Sequence, residues 1–475
     1  MRALKTSTFF GRASTREPSA ETVDGRTDPG RPWLDHAARR LLPYGMARSL
    51  SLAGPYLLQA LFWQVAGAEA AGRFFFLTSA AMFLVLLADL GTSNAFPVLW
   101  GSQPGRAVPE LSDVLTLRQV VALGSLGALG AMAAAGCWQP MALLDFALLG
   151  VFVGSRTALT ARQGRLYAFQ RFGLLARGAL WHAIGLLAVL IGAGATAGVT
   201  PTVGLLALIG GNLSELGAMA QAGVLSWGAD LPPPPPGSWS ARARQAARRL
   251  APYAVAGAAA AVYQRSDALI GDLFLDRETL GLFGTLDACY RLTSAPVFLS
   301  GQAIYPALRA AHEAGRPAQT RTVLTHHLRT GGLLALAGMA AFAILTGRNP
   351  LGQAGPVGGP ALAPGTLGSA ATAWLWWPFF LAIPVAMGTA LMAPLYFSRG
   401  QAARLAKVAA ISGLVRPLSG ALATALLGPA GLALNNLALE AGQAVLTLVV
   451  LPRWFPAATG APPPPLAADQ AKARL

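Results

Sequence analysis

Charge is what this 475-residue chain has least of. Only 12% of its residues are Asp, Glu, Lys or Arg, whereas 54% are hydrophobic, and the mean hydropathy is +0.49. A soluble domain carries about 25% charged residues. The chain cannot cover its surface with water-loving groups, which excludes an ordinary water-soluble globule and makes lipid part of its solvent. Cysteine is nearly absent. Cys137 and Cys289 both sit in apolar stretches, where they read as small core residues rather than a disulfide or a metal site. No HExxH, P-loop or CxxC pair occurs, and "GGN" at 210–212 reads as a helix-packing glycine pair. The longest outer connection, about 347–371, is rich in Gly and Pro and too short for a catalytic domain. The chain is therefore not read as an enzyme, and no cofactor is implied. The first 32 residues lack the apolar core of a signal peptide.

Positive charge is in excess, with 36 Lys and Arg against 20 acids. Without a large soluble domain to present a basic face, nucleic acid is not an expected partner. The excess belongs in cytoplasmic loops or in an aqueous cavity.

A helix needs about 20 mostly apolar residues to cross a bilayer. Twelve stretches qualify, near 42–66, 74–99, 117–138, 140–158, 174–196, 203–225, 251–274, 279–305, 324–346, 372–397, 404–427 and 431–452. The fourth is the weakest, being set off from the third only by a Trp-Gln-Pro break at 138–140. Arginine distribution supports the count. The even-numbered connections hold Arg106 and Arg118, then Arg162, Arg165 and Arg171, then Arg242, Arg244, Arg248 and Arg249, then Arg309, Arg316 and Arg321, then Arg399 and Arg404. The odd-numbered ones hold Arg73, Arg277 and Arg348. This alternation predicts a multi-pass membrane protein with both termini in the cytoplasm.

The chain also repeats itself. "AARRLLPY" at 37–44 returns as "AARRLAPY" at 246–253, 209 residues later. In the same register Glu69, Gly72 and Phe74 fall on Glu278, Gly281 and Phe283, and Phe96, Pro97 and Leu99 fall on Tyr305, Pro306 and Leu308. Both copies begin on the same side, so the repeat is parallel, about an axis along the membrane normal. Pro97 and Pro306 are expected to kink or end their helices. The expected fold is all-α and polytopic, with two pseudo-symmetric six-helix lobes around a central cavity. Its parts are a disordered cytoplasmic tail (1–36), an N-lobe (37–225), a Pro-rich cytoplasmic linker (226–245), a C-lobe (246–455) and a second tail (456–475).

Ionisable groups inside spans cost a few kcal/mol, so they face a cavity or a partner. Span seven carries Arg265 and Asp267, and span eight carries Asp287 and Arg291. These four either brace their hairpin as ion pairs or offer an arginine to an anionic substrate, with the acids as counter-ions. Arg416, beside Pro417 in span eleven, is a deeper cavity candidate. The N-lobe counterparts differ: Tyr56 and Gln59 in span one, Asp89 and Asn94 in span two. Glu215 and Glu440, each preceded by an asparagine (Asn212, Asn436), are candidate coupling-ion sites or plain helix–helix hydrogen-bonders. His182 reads as an interhelical hydrogen-bonder, and Arg156 and Arg177 as snorkelling residues.

The stretches "AGAEAAGRFFFLTSAAMFLVLLADLGTSNAF" and "YQRSDALIGDLFLDRETLGLFGTLDACYRL…YPAL" resemble the two first hairpins of the bacterial polysaccharide flippases. These form the oligosaccharidyl-lipid and polysaccharide branch of the multidrug and polysaccharide exporter superfamily. The resemblance implies flipping of an undecaprenyl-diphosphate-linked oligosaccharide by alternating access, for surface polysaccharide, lipopolysaccharide or O-antigen synthesis. It also implies a cationic central cavity. Expected partners are that lipid-linked substrate, membrane lipids, a polysaccharide polymerase and glycosyltransferases. Rival readings are a drug or metabolite antiporter of the same fold and a membrane-embedded polymerase or ligase.

Overall fold

The computed structural model describes residues 53–93, 95, 110–136, 143–168, 171–222, 239–313, 315–346 and 370–454. Its helices are α1 (53–65), α2 (Ala68–Asp89), α3 (Glu110–Ala134), α4 (Leu143–Ala168), α5 (Phe172–Ala197), α6 (Pro201–Gln221), α7 (Trp239–Phe274), α8 (Arg277–Glu313), α9 (Pro317–Leu345) and α10 (Ala370–Ser398). The last helical run, Ala402–Trp454, is broken at Gly428, where φ 60 and ψ −142 are not helical. The hydrogen bonds from Arg416 to Asn436 and from Ser419 to Asn435 close back towards that break. The run is therefore an antiparallel hairpin, α11 before Gly428 and α12 after it. Each expected span has its helix, the weak fourth included.

Local chemistry sets several boundaries. Thr200 caps α6, accepting from the Val203 amide at 3.3 Å, and Pro201 occupies the first turn, where its missing N–H costs nothing. Asp276 caps α8, accepting from the Thr279 amide at 2.7 Å. That bond holds the Asp276 carboxyl below its ordinary range. Two expectations shift. α8 stays helical past position 306 to Glu313, so the proline there does not end it. α7 begins at Trp239, so the end of the expected 226–245 linker is already helix. Both tails, Pro97, Cys137 and the 347–369 loop lie outside the described residues.

Eight helical runs among the described residues are long and apolar enough to cross a membrane: α2 to α6, α9, α10 and the α11–α12 run. The protein is a multi-pass membrane protein. The long helices outside that set are α7 and α8, which carry Arg265, Asp267, Asp272, Asp287 and Arg291. The least lipid-like helices thus lie inside. Conversely, Ile411, Leu414, Leu418, Leu422 and Leu426 repeat every three or four residues along α11, and all are exposed. In water such a stripe would be an unpaid burial, but here it meets lipid.

Two cores hold the lobes. Phe62, Phe74, Leu84, Phe152 and Leu205 belong to the N-lobe core, and Phe283, Phe342, Trp376, Phe379 and Leu432 to the C-lobe core. The strongest joint between them is α2 on α8. There Phe75, Phe76 and Leu77 of α2 enter the C-lobe core. At one end of the lobe interface the two first turns meet backbone to backbone. A Cβ on Gly72 would overlap the carbonyl oxygen of Arg277, and a Cβ on Gly281 would overlap that of Ala68. Positions 72 and 281, and 68 and 277, are mates in the 209-residue register. Such reciprocity is what a twofold axis between the two turns produces. At the opposite end Ala95 and Val114 of the N-lobe pack with Ala246, Leu250 and Tyr253 of α7, and Arg242 of α7 pairs with Asp113 of α3 at 3.2 Å. The lobes thus touch near both ends of their interface.

The glycine crossing yields a test. Gly72→Ala or Gly281→Ala forces a methyl group against backbone and should destabilise this contact between the lobes by about 1–3 kcal/mol. Electron–electron distance measurements between spin labels at positions 70 and 279 should then lengthen. An unchanged distance distribution in both variants would refute the crossing.

Candidate functional site

Between these contacts lies a small cavity of about 50 Å³. Its wall comes from both lobes: Tyr56 and Gln59 of α1, Phe75, Thr78 and Met82 of α2, Phe152 and Arg156 of α4, His182 of α5, Asn212 of α6, Arg265 of α7, and Asp287 of α8. Positions 56 and 265 are mates in the repeat. At equivalent places the N-lobe offers a phenol and the C-lobe a guanidinium, so a symmetric frame encloses a chemically asymmetric chamber.

The sequence candidates separate by geometry. Arg265 lines the cavity, is 9% exposed, and its Nε has no hydrogen-bond partner among the described residues. Asp287 also lines the cavity, but Arg291 one turn on donates to its Oδ2 at 2.6 Å and to the Gln264 carbonyl at 2.9 Å. Arg291 thereby neutralises the acid on the C-lobe wall. The four hairpin charges do not form one cluster: Asp287 goes to Arg291, and Asp267 goes to Arg416.

Arg416 is 1% exposed and does not line this cavity. Its guanidinium forks onto Asp267, with Nε to Oδ1 at 3.1 Å and Nη2 to Oδ2. Nη2 also donates to Asn436 Oδ1 at 2.7 Å, and the cation lies 4.2 Å from the Tyr263 ring centre. This ties α7, α11 and α12 together. Glu440 accepts from Thr389 Oγ1 at 2.8 Å, linking α12 to α10.

Asp89 ends α2. It accepts from Thr92 Oγ1 at 3.2 Å and from the Ser93 amide and hydroxyl at 3.1 and 2.9 Å. A carboxylate at a helix C-terminus opposes the dipole, and Arg118 offsets it at 3.1 Å. Arg118 is 1% exposed and further held by Thr92, the Thr157 carbonyl and Thr160. Its place among the loop arginines concealed this role, because position 118 lies on the first turn of a span and is buried. Asn94 lies outside the described residues.

Sequence reading undervalued two residues of the N-lobe wall. Arg156 donates to Asn212 Oδ1 at 3.2 Å on the cavity wall rather than snorkelling to an interface. His182 approaches Glu215, Nδ1 to Oε2, at 3.4 Å. The spacing of Asn212 and Glu215, three residues apart on one face of α6, was the available signal.

The fold is that of known transporters. The chain superposes on an inward-facing multidrug resistance MATE family transporter of the MOP superfamily with a TM-score of 0.59 and 13% identity, over 90% of this chain and 100% of that one. It superposes on a eukaryotic MATE transporter with a TM-score of 0.66 and 11% identity, over 88% and 96%. The lipid II flippase MurJ in its inward closed conformation gives 0.61 and 14% identity, over 86% and 87%. No family model and no curated sequence matches the chain.

The Asp267–Arg416 pair yields a test of role. Removing one partner strands a buried charge, at a cost of about 3–5 kcal/mol, whereas replacing both with apolar groups costs far less. Asp267→Leu and Arg416→Leu alone should each lower the amount of folded protein recovered in detergent, and the double variant should regain most of it. Equal losses in all three would overturn the bracing role.

Proposed function

We propose that the chain flips a lipid-linked oligosaccharide, carried on an undecaprenyl diphosphate, from the inner to the outer leaflet of the bacterial inner membrane. The observation that carries this reading is Arg265, a buried guanidinium on the wall of the cavity with no carboxylate paired to it at salt-bridge distance among the described residues. A buried cation without a counter-ion is costly. An anionic cargo that completes the site removes that cost, and a diphosphate suits the planar fork of arginine, which donates two hydrogen bonds at once. The neighbouring wall agrees. Asp287 is already matched by Arg291, which leaves the positive charge of Arg265 on the C-lobe wall.

Two lobes that touch at a backbone crossing on one end and at the Asp113–Arg242 contact on the other can rock between these closures. Opening one while the other holds gives alternating access, with both termini and the linker on the cytoplasmic side. Glycosyltransferases would supply the cargo and a polymerase would consume it, in the making of surface polysaccharide or lipopolysaccharide. The same arginine disfavours an exporter of cationic drugs, which it would repel.

The test uses purified protein in liposomes and a fluorescent prenyl-diphosphoryl oligosaccharide. Arg265→Ala should slow flipping at least about tenfold, equivalent to the loss of roughly one charge-assisted hydrogen bond. Arg265→Lys, which keeps the charge but loses the fork, should fall between. A well-folded Arg265→Ala protein that flips at the parental rate would end this reading.

A further inference from the structure

Arg265, Gln59 and Asp287 each bring to the cavity wall a buried polar atom without a hydrogen-bond partner among the described residues: Nε, Oε1 and Oδ1 in turn. The three residues are 9%, 3% and 2% exposed. Arg265 holds a donor. Gln59 of α1 and Asp287 of α8 hold acceptors, one from each lobe.

Their neighbours decide which atom is left over. Gln59 donates Nε2 to the Ala71 carbonyl of α2 at 3.0 Å. A carbonyl can only accept, so the amide nitrogen belongs there and the amide oxygen is the atom left without a partner. Arg291 takes Oδ2 of Asp287 at 2.6 Å, which leaves Oδ1. The repeat mates do not offer the same groups. Position 268, the mate of Gln59, is an alanine. Thr78, the mate of Asp287, lines the cavity, but its hydroxyl engages the Phe74 and Phe75 carbonyls of its own helix at 2.8 and 3.2 Å.

A buried acceptor without a donor is unfavourable, so it selects a ligand that donates. The ionised diphosphate of the proposed cargo has no proton to donate; its oxygens accept, and they suit Arg265. Sugar hydroxyls do donate, and a sugar is joined directly to that diphosphate. We infer that Gln59 Oε1 and Asp287 Oδ1 form a sugar-hydroxyl subsite beside Arg265, which reads the sugar next to the diphosphate. The inference rests on the anion reading of the cavity and extends it from the phosphate to the first sugar. The carboxylate takes its hydroxyl in a charge-assisted bond, and Arg291 offsets its charge against the anion nearby. At about 50 Å³ the cavity admits water but not a sugar ring, so the lobes part to admit cargo. A hydroxyl that displaces water from these oxygens restores the lost hydrogen bond. A group of the same size that cannot donate leaves the oxygen bare. The subsite therefore discriminates by donor rather than by shape.

The test measures binding to the full-length chain in phospholipid nanodiscs. The probes are a short-chain prenyl diphosphoryl glucose, its deoxyfluoro analogues and the matching prenyl diphosphate methyl ester. All are diphosphate diesters of equal charge. In each analogue a fluorine keeps the approximate size of one hydroxyl but cannot donate. Wild-type protein should bind the glucose probe at least about tenfold more tightly than the methyl ester, and at least one analogue should lose about as much. Gln59→Met, similar in size but without the amide, should bind the glucose probe more weakly and treat one disfavoured analogue as equal to it, to within about twofold. Asp287→Asn keeps an oxygen for Arg291 and hence the brace, but gives up the charged acceptor. It should shrink the penalty at a hydroxyl by several-fold, so the assignment does not depend on Gln59→Met alone.

Equal wild-type affinity for the glucose probe and all of its analogues, or for the glucose probe and the methyl ester, overturns the subsite and leaves the anion reading standing. A fluorine penalty that survives unchanged in both variants also overturns it, because the hydroxyl contact then lies elsewhere. If no probe binds the wild-type protein, the anion reading falls and the subsite falls with it.

Discussion

A guanidinium cannot enter a low-dielectric interior without a partner, and this constraint organises the molecule. Each buried or half-buried arginine seen in an ion pair has its own aspartate: Arg118 with Asp89, Arg291 with Asp287, Arg416 with Asp267, Arg242 with Asp113, Arg277 with Asp272, and Arg73 with Asp145. Most of these pairs join different helices, so each also fixes a helix–helix register. Because lipid offers no hydrophobic drive between helices, such pairs and close backbone packing carry much of the specificity that a water-soluble core would derive from apolar burial. Arg265 stands apart. Its surroundings are the cavity wall, and its nearest acid is already engaged by Arg291.

Close packing depends on the small residues. α5 and α6 approach closely through glycines at 178, 185, 210 and 211, and α2 crosses α8 at Gly72 and Gly281. The first arrangement holds His182 against Glu215. The second brings the backbones of the two lobes into direct contact where their first turns cross. An aromatic layer lies beneath it, Phe75 against Phe283 at 6.1 Å and Phe283 against Phe379 at 5.3 Å.

Symmetry of backbone and asymmetry of chemistry serve different ends here. The repeat supplies two similar lobes, which in the proposed function exchange which end is open. Divergence at mated positions, Tyr56 against Arg265 above all, makes the wall between them chemically unequal. The C-lobe pair Asp267–Arg416 braces its own lobe, whereas the N-lobe keeps its buried acid beside a histidine at the cavity wall.

The sequence by itself determined the architecture. Hydropathy placed the helices, since about 20 apolar residues span a bilayer wherever they occur. The register linking Gly72 to Gly281 announced the duplication, because a repeat is a property of the chain before it folds. Local signals such as Thr200-Pro201 and Asp276 likewise act within a few residues of the chain. What only the tertiary structure decided was which charge meets which. Asp267 and Arg416 are 149 residues apart, and nothing in either neighbourhood names the other. Arg118 counted as a loop residue until packing turned it inward, and Arg156 as a snorkelling one until α6 placed Asn212 beside it. The division of labour among Arg265, Arg291 and Arg416 arises for the same reason. Burial and partner are set by the rotation of each helix about its axis, and that rotation is fixed by all of its neighbours at once.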